Sequence, residues 1–190
     1  MDAITLLRED HVKVLAMLDE LERGAASGRS ATPEDNAARK QLVTELVMAE
    51  SAHEAIEEQF FWPSVQHWFQ EGRQLAGPAL EQEQAAKRVL HELDKLEPGD
   101  SGFEILLRRV IADAREHIAY EEREVWPVAQ QLAPSELEEL GKKMAIAQKA
   151  AAPTRPHPHT PPKPGMLKTA GVAAAVVDKM RDAATGRGKN

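Results

Sequence analysis

The residues of this chain best suited to chemistry stand in two copies of one phrase, His53-Glu-Ala-Ile-Glu57-Glu-Gln-Phe-Phe-Trp62-Pro63 and His117-Ile-Ala-Tyr-Glu121-Glu-Arg-Glu-Val-Trp126-Pro127. Both read His-x-Ala-x-Glu-Glu-x-x-x-Trp-Pro. On a helix, residues four apart share a face, so each copy offers one imidazole and one carboxylate side by side. A single His-x-x-x-Glu pair is ordinarily a contact between neighbouring turns on a helix surface. Written twice, on helices that face each other, it makes a metal site. Each pair could ligate one ion, or two neighbouring ions if the carboxylate bridges. Imidazole suits iron, zinc, copper and nickel, whereas carboxylate brings in harder ions, and the mixture points to iron, manganese or zinc.

Helical periodicity runs through almost the whole chain, with no convincing alternating strand. A first helix over about residues 2–23 sets Leu7, His11, Val14, Leu18 and Leu21 on one stripe and ends before Gly24. Thr32 reads as an N-cap with Pro33 at the first helical position. The second helix carries Leu42, Leu46, Ala49, His53, Ile56, Glu57 and Phe60 on one face, so its metal-type residues lie on the apolar stripe; Trp62-Pro63 is expected to kink or end it. A third helix is expected from Gly77-Pro78 to about Leu96, where Glu97-Pro98-Gly99-Asp100 supplies a turn. Ser101 and Glu104 have capping-box spacing for a fourth, whose inward stripe is Leu106, Val110, Ala114, His117, Tyr120, Glu121 and Val125. Ser135 and Glu138 repeat that spacing for a short fifth helix to about Ala150.

The fold class is therefore all-α: an antiparallel up-down four-helix bundle over 1–150 with a short fifth helix, followed by a proline-rich C-terminal tail over 151–190. Such bundles build metal sites from side chains that face one another in the core.

Helix three contributes through a longer internal register. Helix one reads His11-x-x-Val14-x-x-x-Leu18-x-x-Leu21, and helix three answers with Glu83-x-x-Ala86-x-x-x-Leu90-x-x-Leu93. Glu83 thus stands where His11 stands, on a stripe with Leu80, Ala86, Leu90 and Leu93. An unpaired carboxylate there is expensive to bury, and coordination removes that expense. His91 is the competing residue by type, but eight residues past Glu83 it lies roughly 12 Å further along the axis and off the stripe.

Composition sets the outer limits. The chain has 190 residues, the size of one ordinary domain with an appendage. It has no cysteine, which excludes disulfides, thiolate ligands and a cysteine nucleophile. The formal charge of −7, with acidic residues spread among the helical segments, argues against nucleic acid as a partner. The first ten residues lack the features of a signal peptide and no apolar run is long enough to span a bilayer, so a cytoplasmic location is expected.

Over about residues 1–130 this pattern resembles the hemerythrin-like proteins, the histidine-histidine-glutamate cation-binding domains. The matching positions are His11, the pair His53 and Glu57, and the pair His117 and Glu121, with Glu83 where the family places a histidine. The order His before Glu separates it from the ferritin-like bundles, which read Glu-x-x-His. The resemblance implies two non-haem iron ions joined by an oxo or hydroxo bridge, with His11 and His53 on one, Glu83 and His117 on the other, and Glu57 and Glu121 between them. Three imidazoles and three carboxylates form a hard, anionic set that favours ferric iron. The expected function is therefore reaction with, or sensing of, a small oxidant (O2, H2O2 or NO), with catalase-like peroxide decomposition as the activity. The alternative is an iron- or oxygen-responsive binding or storage module without turnover.

Tyr120, one turn past His117, is a candidate to hydrogen-bond a bound oxygen species or to ligate ferric iron, or a core aromatic whose hydroxyl finds another partner. Glu54, Glu58 and Glu122 are expected to be solvated or to support the ligands, and Trp62, Trp126, Phe60 and Phe61 to pack the bundle end. In the tail, His157 and His159 decorate an extended proline-rich linker. Met166 to Ala184 is expected to hold a small helix, able to serve a homodimer or a protein partner.

Overall fold

Thr32 opens the second helix as its spacing predicts: Oγ1 accepts from the Asp35 N–H at 3.1 Å, and Asp35 returns a carboxylate to the Thr32 N–H at 3.0 Å. The computed structural model describes residues 1–26, 32–158, 175–184 and 187. Its helices are α1 (Ala3–Ala26), α2 (Pro33–Ile56), α3 (Trp62–Trp68), α4 (Gly72–Asp94), α5 (Phe103–Tyr120), α6 (Trp126–Ala129) and α7 (Pro134–Ala151), with a further helix, α8, over 175–184. Among the described residues there is no strand, and no helix is long and apolar enough to cross a membrane. Helix α1 packs on α2 and α5, and α4 packs on α2 and α5. Each long helix thus lies beside the next and the first closes on the last, the four-membered ring of a helical bundle. Helix α7 lies outside the ring against α1 and α2. Gly141 lets it approach: a Cβ there would stand 2.5 Å from the Asp2 backbone carbonyl carbon.

The two Trp-Pro steps do not end their helices. Between α2 and α3 the chain makes one π-helical turn, Glu57–Phe61, and between α5 and α6 another, Glu121–Val125. The N–H of Trp62 reaches back to the Glu57 carbonyl, and that of Trp126 to Glu121. An α turn would press the Pro63 ring against the Gln59 carbonyl and leave that carbonyl without a donor; one extra residue in the turn relieves both. The repeated phrase therefore encodes a repeated backbone device, and each wide turn begins at a glutamate of the phrase.

Three other boundaries differ from the expectation. Helix α4 starts at Gly72, and Pro78 lies inside it on the exposed side. Helix α5 is capped by Gly102 at φ 98°, without a side-chain cap; Glu104, instead of returning to Ser101, makes a two-pronged pair with Arg39 of α2. Helix α7 begins at Pro134, where Glu136 accepts from the Ala133 N–H at 3.3 Å, so Ser135 falls inside the first turn.

The core is in two parts. One gathers Leu7, Phe61, Trp62, Trp126 and Met144 at the end of the bundle that α7 covers. The other gathers Leu18, Leu46, Leu90, Leu93, Phe103 and Leu107. Along every long helix the residues between these clusters are buried and polar: His11 on α1; Glu50, His53, Glu54 and Glu57 along α2 and its π turn; Glu83 and Lys87 on α4; and His117 and Glu121 along α5 and its π turn. The fold positions a polar layer between two apolar ones.

Candidate metal centre

Six side chains of that layer converge. His11, His53 and Glu121 place one donor atom each within 4.8 Å of one another, and Glu57, Glu83, His117 and Glu121 do the same. Glu121 belongs to both groups. One of its oxygens, Oε2, lies 3.0 Å from His11 Nε2; the other, Oε1, lies 3.6 Å from His117 Nε2. Glu57 Oε2 stands 3.2 Å from His53 Nε2 and 4.0 Å from His117 Nε2. All six residues are at most 8% exposed.

The donor atoms fit a cation better than they fit one another. The Nε2 atoms of His11, His53 and His117, both oxygens of Glu57 and of Glu121, and Glu83 Oε2 are buried without a hydrogen-bond partner. Leaving so many polar atoms unsatisfied would cost about 1–3 kcal/mol each. Metal coordination satisfies them together, and the mixed imidazole and carboxylate set suits iron.

The other faces of these ligands are held in place. His11 Nδ1 lies 3.1 Å from Glu122 Oε1, and His117 Nδ1 lies 3.1 Å from Gln82 Oε1. His53 Nδ1 stands 3.7 Å from Asp10, whose carboxylate accepts from Gln148 of α7 at 2.7 Å. Trp62 Nε1 donates to Glu83 Oε1. Trp126 stacks on His11, ring centres 4.8 Å apart, with the Arg8 guanidinium 4.7 Å from the indole centre. Contacts of this kind fix ring orientation and the tautomer that leaves Nε2 free for a metal.

Electrostatics divide the three carboxylates. Burial, then the neighbouring Glu121 and Glu83, push Glu57 well above the usual range. Burial, then Glu58 and Glu54, do the same to Glu83. Glu121 is also buried, but His117, His11 and His53 outweigh burial and hold it at about 2. His117 is lowered by burial; His11 is raised because Glu121 and Glu122 outweigh burial. A cation entering the layer therefore displaces protons from Glu57 and Glu83.

His11, His53, Glu57, Glu83, His117 and Glu121 are thus brought together. His91 is half-buried outside both groups. The Tyr120 hydroxyl donates to the Leu75 carbonyl at 2.8 Å, which commits it to the α4 backbone, away from the donor groups. Glu54 and Glu58 are not solvated, at 2% and 4% exposure. Glu58 accepts from the buried Lys87 at 2.5 Å, a pair that the sequence reading missed. Lys87 lies one turn past Glu83, and a buried lysine on an apolar stripe needs a buried acid. Trp62 does more than pack, through its bond to Glu83. His157 accepts a role in docking the tail: its Nε2 is 3.0 Å from Asp178 Oδ2 on α8. His159 and the expected helix before 175 lie outside the described residues.

Comparison with known proteins shows the family to which this fold belongs. The family model of the hemerythrin HHE cation binding domain matches residues 2–129, and the chain belongs to that family. An uncharacterized hemerythrin-like protein of Schizosaccharomyces pombe is 30% identical over 158 residues, 81% of this chain and 75% of that protein. The fold is similar to the crystal structure of a hemerythrin HHE cation binding domain-containing protein from Mycobacterium kansasii. That match has a TM-score of 0.63 at 22% identity and covers 94% of this chain and 99% of that one.

Proposed function

We propose that the polar layer holds two non-haem iron ions, one on His11 and His53, the other on Glu83 and His117, with Glu57 and Glu121 shared between them. The observation that carries this is Glu121, whose two oxygens face histidines of different groups, at 3.0 and 3.6 Å. A pair of irons supplies two-electron redox chemistry, which converts two hydrogen peroxide molecules into two waters and one dioxygen. Glu122, Gln82 and Trp62 would hold His11, His117 and Glu83 in place, with the Asp10 carboxylate 3.7 Å from His53, and the two apolar clusters close the layer above and below.

A cavity of about 20 Å3 adjoins Glu83 and His117. A space of this size suits a ligand of two to four atoms such as O2, H2O2 or NO, and peroxide decomposition is the activity we favour among them. Iron-loaded protein is expected to evolve oxygen from peroxide well above the same concentration of free iron. Oxygen evolution equal to free iron refutes the activity. The contact of Gln148 with Asp10 behind His53 favours a second reading, a sensor whose iron state is felt by α7. That reading predicts no turnover, and hydrogen-exchange protection of α7 that changes on oxidation.

A further inference from the structure

Three helices leave a second set of acids above the centre that the proposed ligands do not use. Glu50 and Glu54 on α2, Gln82 and Glu83 on α4, and Asp113 and His117 on α5 line the 20 Å3 cavity. The lining runs from Asp113, 37% exposed, to Glu83 and His117, which belong to the buried four-residue group. Glu50 and Glu54 line the same cavity, 8% and 2% exposed, and Glu50 Oε1 and Glu54 Oε2 have no hydrogen-bond partner. The nearby cation is engaged elsewhere: the Lys87 ammonium donates to Glu58, although its charge also acts on Glu54.

Two buried carboxyl groups, each with an oxygen that lacks a partner, are a poor way to fill a core, since each such group costs several kcal/mol to desolvate. They are a good way to strip water from an arriving cation. The cavity holds about one water-sized occupant, so a hydrated divalent ion does not fit, whereas an ion that has exchanged waters for carboxylate oxygens does. Asp113, Glu50 and Glu54 would replace those waters in steps between solvent and Glu83. From this we infer that Glu50, Glu54 and Asp113 form the loading route by which ferrous ions reach the metal centre. The inference rests on the di-metal reading of the site and adds to it the path and chemical form of the incoming ion. No redox step is involved: a divalent cation passes from water to carboxylates to the final ligands.

The test is stopped-flow mixing of metal-free full-length protein with ferrous ion under anaerobic conditions. Tryptophan fluorescence reports arrival, because Trp62 and Trp126 touch Glu83 and His11; iron per chain is measured at the end point. The Glu50→Gln, Glu54→Gln double variant, whose amides cannot release a proton to bind the ion as carboxylates, is expected at pH 8 to load at least about tenfold more slowly and to reach the wild-type iron content. Asp113→Asn, at a partly exposed site, is expected to slow loading several-fold and keeps the test open if the double variant loses helical content. Wild-type loading rates in Asp113→Asn and the folded double variant overturn the route. A lower final iron content at an unchanged rate overturns it too, since the acids would then be ligands. A wild type that takes up no iron overturns the metal-centre reading, whereas normal uptake at unchanged variant rates overturns the route alone.

Discussion

Glu50 provides a test in which protonation and stability can be separated. Its carboxyl is 8% exposed and has an oxygen without a partner. Burial, opposed by His53 and helped by Glu121, raises it from 4.5 to about 7. The folded protein therefore keeps a proton that the unfolded chain has released. Stability from this group is complete below pH 4.5 and is lost as pH rises through about 7. A move of that size is worth roughly 3 kcal/mol. Glutamine imitates the protonated form at every pH. Metal-free Glu50→Gln is expected to be more stable than wild type by about 3 kcal/mol at pH 8, and by less than about 1 kcal/mol at pH 5. In a chain of this length that corresponds to a rise of about 6–12 °C in Tm at pH 8. The assay is urea unfolding with a chelator present at both pH values. The same difference at pH 5 and 8, or a less stable variant at pH 8, would refute the reasoning.

Other substitutions probe the supports of the centre. Trp62→Phe removes the donor to Glu83 and is expected to weaken iron binding by about 10–100-fold with the fold retained, as metal titration would show. Asp10→Asn alters the group between His53 and Gln148, with a loss of similar size expected in the same titration. Lys87→Met leaves Glu58 buried and unpaired, for an expected loss of about 3–5 kcal/mol in urea unfolding; a loss below about 1 kcal/mol would mean that the pair is not desolvated.

Much of the site is legible along the chain because its signal is local. His53 with Glu57, and His117 with Glu121, are each one turn apart and are the two copies of one phrase. His11 and Glu83 follow from matching apolar stripes, which also separate Glu83 from His91. What is not legible depends on helix rotation or on contacts between distant segments. Whether Glu54 and Glu58 are solvated or support the ligands stays open along the chain until α4 is placed against α2 and Lys87 meets Glu58. The π turns at Glu57 and Glu121 are hidden because Trp-Pro reads as a stop signal, yet one extra residue in a turn accommodates the proline. Ser101 has the spacing of a cap, but Gly102 takes the left-handed conformation and Arg39 draws Glu104 away. His157 finds Asp178 only when the tail folds back, a pairing that no periodicity announces.

The central claim, a two-metal centre built on both copies of the repeated phrase, is tested most directly by counting iron. Protein loaded with ferrous ion and desalted should carry about two irons per chain, and the Glu57→Ala, Glu121→Ala double variant, with helical content unchanged, should carry close to none. Wild type with less than about a tenth of an iron per chain, or a variant that keeps the full complement, would contradict it.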